Sequence, residues 1–150
     1  MPGTYSKILL HIVFSTKGRA RLIAPELESR LHPYIGGIVR EEQGVLRAIG
    51  GTGNHVHLLV GWRTDETVAT LVRRAKSGSS QWVHETFPEM EAFAWQEGYG
   101  VFSVSASQVE RVEQYIQNQA EHHKLRTFEE ELVALLEKHR IEYEEKYLWD

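Results

Sequence analysis

The chain has 150 residues, of which 41% are hydrophobic and 25% charged, a formal net charge of −4 and no cysteine. The length suits one domain with a sizeable core, and the lack of cysteine excludes disulfides, thiolate metal sites and a cysteine nucleophile, so any metal must use His, carboxylate or amide ligands. The charge excludes a protein that coats nucleic acid by bulk positive charge, although residues 128–150 carry a net −5 and leave the remainder at +1 with local basic clusters.

In chain order, residues 5–15 predict a central strand with Ile8, Leu10, Ile12 and Phe14 on one face and Leu9, His11 and Val13 on the other. A basic loop follows, carrying Lys17, Arg19 and Arg21. Pro25 opens a helix at its favoured first-turn position, with Leu27, Leu31, Ile35, Ile38 and Val39 at helical spacing. Pro33 and Gly36-Gly37 are expected to bend or weaken that helix, and Gly44 to end it. Residues 45–50 alternate as a strand, Gly51-Thr52-Gly53-Asn54 is a turn signal, and residues 54–60 form the next strand as an antiparallel neighbour. On it His55, His57 and Leu59 share one face and Val56, Leu58 and Val60 the other. Two imidazoles side by side on one strand face can grip one divalent ion, though an isolated pair reads first as an exposed histidine pair.

A second helix is expected to begin near Thr64-Asp65, with Val68, Leu71, Val72 and Ala75 buried and Arg73, Arg74 and Lys76 around the rest. Ser77-Gly78-Ser79-Ser80 either interrupts it or marks a close backbone approach, and Pro88 closes it. Residues 93–105 read as a last strand or hairpin. Ser107 is the expected cap of a third helix, which turns Val109, Val112 and Ile116 inward and also carries Tyr115, Gln119, His122 and His123. Thr127 caps a fourth, with Phe128, Leu132, Leu135 and Leu136 apolar, and the acidic tail with its three aromatics is expected to dock. The order β-α-β-β-α-β with extra C-terminal helices predicts an α+β, ferredoxin-like fold, an antiparallel sheet flanked by helices. One domain over residues 1–150 is expected, with a core of about 4–124 and a C-terminal helix and acidic tail at about 127–150. No apolar run is long enough to span a bilayer and no leader pattern opens the chain, so a cytoplasmic protein is expected.

Tyr115 and Gln119 are four apart and share a helix face, with His122 near the same stripe. A phenol can be a covalent nucleophile and an amide oxygen a third ligand. On their own the two read first as a half-buried aromatic and a surface amide. Taken together, His55-Val56-His57 before Leu-Leu-Val, Lys-Ser-Gly-Ser-Ser at 76–80, Trp95 with Gly98-Tyr99, and Tyr115-Ile116-Gln117-Asn118-Gln119 resemble a known family in order and spacing. It is that of the single-tyrosine HUH transposases of small insertion sequences and their relatives associated with repetitive extragenic palindromes. The resemblance runs from the first strand through the third helix.

The resemblance implies metal-dependent cleavage and strand transfer of single-stranded DNA, that is DNA transposition, with recognition of DNA hairpins. It implies Tyr115 as the nucleophile of a 5′-phosphotyrosine intermediate, and His55, His57 and Gln119 as ligands of Mg²⁺ or Mn²⁺. His122 or His123 stands as an alternative or additional ligand. It also implies a homodimer in which one subunit's tyrosine helix can complete the other's site. Lys17, Arg19, Arg21, Arg73, Arg74 and Lys76 are the candidates for backbone contacts, by charge alone. A non-cleaving ferredoxin-like nucleic-acid module or a domesticated relative is the alternative. The former is expected to show stacking aromatics where this chain has His55 and His57. A small metal-dependent hydrolase ranks last, because no carboxylate ligand or base is evident near the His pair.

Overall fold

The computed structural model describes residues 3–149. Four strands, β1 (Ile8–Ser15), β2 (Val45–Thr52), β3 (His55–Trp62) and β4 (Gly100–Ser103), form one sheet in the order β2-β3-β1-β4. Every neighbouring pair is antiparallel. This is the split β-α-β arrangement that the element order predicts.

The sheet is the middle of three layers. On one face Leu10, Ile12 and Phe14 of β1 and Val56, Leu58 and Val60 of β3 pack against helices α1 (Pro25–Glu41) and α2 (Val68–Thr86). Leu31 and Ile35 of α1 are fully buried there, and each such side chain contributes about 1.5–3 kcal/mol of transfer free energy. On the other face Leu9, Val13, Leu59 and Phe102 meet helices α3 (Val109–Gln117), α4 (Gln119–His122) and α5 (Phe128–Lys138). Strand alternation thus sends Val56 to the main core and His55 and His57 to the opposite interior.

Several boundaries differ from the sequence expectation. α2 starts at Val68, capped by Thr67, whose Oγ1 accepts from the Thr70 N–H at 3.1 Å; Asp65 instead pairs with Arg63. Gly78 does not interrupt α2: a Cβ there would lie 2.9 Å from Ile38 Cδ1, so the glycine lets α1 approach closely. The turn narrows to Gly53-Asn54, because Thr52 pairs with His55. The last strand is only Gly100–Ser103; Phe93 and Trp95 are core aromatics, Trp95 bridging once to Thr16. Ser107 lies in a 3-10 turn, Ala106–Gln108, and α3 begins at Val109 without a side-chain cap. The expected third helix breaks at Asn118, so α3 and α4 are separate. α5 carries the expected Thr127 cap as a full capping box with Glu130. The tail forms a short α6 (Glu145–Leu148), with Leu148 and Trp149 packed on the α5 cluster. Among the described residues no helix is long and apolar enough to cross a membrane.

Candidate active site

The site starts from the tight turn between β2 and β3. His55 and His57 leave β3 on the same face and are wholly buried beneath α4 and α5. Each imidazole is tied on its outer side. His55 Nδ1–H donates to Asn54 Oδ1 at 2.8 Å, so a turn residue orients the first imidazole of the strand. His57 Nδ1 shares a hydrogen bond of 2.8 Å with His11 Nε2 from β1. Both Nε2 atoms therefore face inward. Fixing Nδ1 on an outer partner is how proteins set the tautomer and aim of a metal-ligating histidine.

α3 approaches β2 and β3 through Val109 and Ile116, and does so over Gly50, where any Cβ would collide with the Ile116 carbonyl. Arg47 of β2 adds a 2.9 Å ion pair to Glu113. This seating holds Tyr115 half-buried, its ring centroid 5.8 Å from that of His57. Although the helix breaks at Asn118, Gln119 turns inward, with Oε1 2.9 Å from His55 Nε2. Of the two following histidines, His123 enters the centre: its Nδ1–H donates to the Arg126 carbonyl at 2.7 Å, and its Nε2 lies 2.9 Å from Gln119 Oε1. His122 faces the tyrosine side instead, its Nε2 3.4 Å from Glu131 Oε2.

Glu131 is the residue that sequence reasoning missed. Its Oε1 lies 2.9 Å from His57 Nε2, 3.0 Å from His123 Nε2 and 3.4 Å from His55 Nε2. Its Oε2 accepts hydrogen bonds from the Tyr115 hydroxyl and from Gln119 Nε2. In the sequence it is one acid of a run, indistinguishable from its solvated neighbours. The available signal was its register: Phe128, Glu131, Leu132 and Leu136 form the buried stripe of α5, so a carboxylate sits where the helix needs an inward residue. The carboxylate judged absent from the His pair is thus present.

The electrostatics follow from this packing. Burial, then the Glu131 charge, push the Tyr115 hydroxyl far above the ordinary phenol range. Burial alone would raise the Glu131 carboxyl, but hydrogen bonds from His123, His55 and His57 outweigh it and hold the group ionised. Burial lowers His57, and pushes His11 down to about 3. With Nδ1 of His55 and of His123 held outward, the Nε2 atoms of both face the acceptor oxygens Gln119 Oε1 and Glu131 Oε1. A buried centre made of acceptors calls for a cation, either protons on the imidazoles or a metal ion. The ligand atoms of His55, His57, His123 and Glu131 all lie within 4.8 Å of one another, so one ion fits among them.

Two clefts flank this centre. One of about 700 Å³ runs past Arg19, Arg21, Lys124 and Arg126 to Asn54 and His123. The other, about 690 Å³, runs past Arg111, Arg126 and Lys138 to Tyr115 and Glu131. Of the six basic candidates, Arg19 and Arg21 line the first cleft, Arg19 also pairing with Glu129 at 3.3 Å. Lys17 is exposed on the adjoining turn and lines neither. Arg73, Arg74 and Lys76 belong to α2, across the sheet from the site. Arg74 pairs with Glu42, and Lys76 Nζ donates to the Glu97 and Gly98 carbonyls.

The family model described as "Transposase IS200 like" matches residues 4–119, which include His55, His57, Tyr115 and Gln119 and exclude His123 and Glu131. Among solved structures, a transposase candidate from Deinococcus radiodurans R1 is similar with a TM-score of 0.67 and 25% identity, over 79% of this chain and 95% of that one. A REP-associated tyrosine transposase bound to a REP hairpin has a TM-score of 0.56 over 77% of this chain and 68% of its own. At 15% identity it speaks for the fold alone. No curated protein matches the chain.

Proposed function

The chain belongs to the IS200-like transposase family, and from that premise we propose that it cuts and rejoins single-stranded DNA at hairpin-bearing ends, with Tyr115 as nucleophile. The observation that carries this reading is the meeting, inside one buried centre, of the His55–His57 pair, the Gln119 amide and the Tyr115 hydroxyl. His55, His57 and Gln119 would hold a divalent ion such as Mg²⁺ or Mn²⁺. Bound there, it would supply Lewis-acid stabilisation of charge on the nonbridging oxygens of the scissile phosphate.

Tyr115 Oη attacks phosphorus, and the P–O3′ bond breaks, leaving a 5′-phosphotyrosine link and a 3′-hydroxyl. The phenol is far too weak an acid to ionise unaided, and its proton has an acceptor already in contact, Glu131 Oε2. That proton returns to the departing 3′ oxygen. Attack by a 3′-hydroxyl on the phosphotyrosine reverses the step and restores the phenol, so bond energy is kept without a nucleotide cofactor. Arg19, Arg21 and Arg126 line the approach and would steer the phosphate backbone.

The test uses purified protein, Mn²⁺ or Mg²⁺, and hairpin oligonucleotides from DNA flanking its own gene. Wild type should form a denaturant-resistant adduct that EDTA prevents, while Tyr115→Phe binds the hairpin and forms none. An adduct with Tyr115→Phe would overturn the nucleophile. Hairpin binding by wild type with no adduct in either metal would favour the non-cleaving module.

A further inference from the structure

We propose that Glu131 and His123, both beyond the family-matched segment, are ligands of the ion, so that this chain holds it with three imidazoles, an amide and a carboxylate. The inference rests on the reading of His55, His57 and Gln119 as an ion site. Three observations carry it further. First, His123 is prepared as the other two histidines are, with Nδ1 tied outward to the Arg126 carbonyl and Nε2 turned to the centre. Second, Glu131 is 1% exposed, and its Oε1 reaches the Nε2 atoms of His55, His57 and His123. Among the described residues no lysine or arginine pairs with this carboxylate, so the three imidazoles are its partners at Oε1. Third, its two oxygens divide the work. Oε1 faces the imidazoles, whereas Oε2 holds the Tyr115 hydroxyl and the Gln119 amide N–H. One carboxylate therefore fixes the distance from the ion to the nucleophile.

The donor set also selects the ion. Imidazole nitrogens favour Zn²⁺, Co²⁺ and other later first-row ions, while Mg²⁺ prefers oxygen ligands and retained water. Three histidines against one carboxylate rank Co²⁺ and Zn²⁺ above Mn²⁺, and Mn²⁺ above Mg²⁺, in affinity for this centre. Because Glu131 rides on α5, ion binding and the docking of α5 on the sheet strengthen each other.

The experiment uses the full chain stripped with chelator and titrated by calorimetry with Mn²⁺, Zn²⁺ and Mg²⁺, with Co²⁺ absorption as a signature of the ligand set. Glu131→Gln keeps the shape, and His123→Ala removes one imidazole. Each should weaken Mn²⁺ binding about tenfold or more, alter the Co²⁺ spectrum and shrink the rise in Tm that Mn²⁺ gives. Wild type should bind Mg²⁺ more weakly than Mn²⁺. Circular dichroism checks folding, and if Glu131→Gln fails to fold, His123→Ala and Glu131→Asp carry the test. If both variants keep wild-type affinity and spectrum while His55→Ala loses binding, the inference is overturned and the His–His–Gln reading stands. An adduct yield that rises in Glu131→Gln at unchanged affinity also overturns it, making the carboxylate a plug. No binding by wild type overturns both.

Discussion

At the scale of single residues, burial lowers the pKa of His11, His32 and His57. His32 of α1 lies away from the site and isolates the effect: its Nε2 is buried without a hydrogen-bond partner, and burial lowers its pKa from 6.5 to about 4. Such a group takes up a proton on unfolding anywhere between those values. Its contribution is therefore intact above pH 6.5 and is lost as the pH falls toward 4. At pH 5 the loss amounts to about 2 kcal/mol. His32→Leu should flatten the fall in Tm between about pH 7 and about pH 5; an unchanged fall would place the acid lability in other groups. Residue identity was legible wherever a pattern pointed at it. The alternation of β3 put His55 and His57 on one face, and four-residue spacing joined Tyr115 to Gln119. Glu131 and His123 were harder to see because their roles depend on which side of α5 and of the Asn118 break faces inward, and this is set by packing against Phe102 and Val13 from distant strands.

At the scale of elements, the close seat of α3 on β2 decides where Tyr115 stands. Gly50 is the only kind of residue that fits beneath the Ile116 carbonyl. Gly50→Ala should lift α3, costing about 1–3 kcal/mol of stability as an overpacked contact does. It should also slow adduct formation more than DNA binding, since it moves Tyr115 without touching a basic residue of either cleft. Equal losses in rate and binding would show that α3 had not moved independently. Element boundaries were legible where local chemistry is self-contained, as in the Thr127 capping box. They were misread where two similar signals compete: Thr64 and Thr67 are both competent caps, and Asp65 is diverted by Arg63. Phe93 and Trp95 resemble strand residues, yet only Gly100–Ser103 pairs fully with β1, because the preceding segment wraps the core edge. The break at Asn118 has no glycine or proline to announce it.

At the scale of the whole molecule, the order of elements sufficed for the topology, since a split β-α-β unit has few ways to close. Composition could not say that the sheet would be covered on both faces. The resemblance raised the expectation that Tyr115 serves a partner's His pair, whereas in this structure its hydroxyl meets Glu131 of the same chain, itself bonded to His57. A mixture of Tyr115→Phe and His57→Ala proteins should accordingly remain without adduct on a hairpin oligonucleotide; recovered adduct would mean that subunits exchange the helix. The three-layer arrangement has a temporal consequence. His55 and His57 are fully buried and Gln119 is at 1% exposure, so on the proposed mechanism a phosphate entering by either cleft would meet His123, or Tyr115 and His122, before those three inner side chains. On that mechanism, contact with an ion held by His55 and His57 would require α4 and α5 to part from the sheet. The frequency of that opening would then set the ceiling on turnover, and the apparent affinity for DNA would be diluted by the fraction of time the protein spends closed.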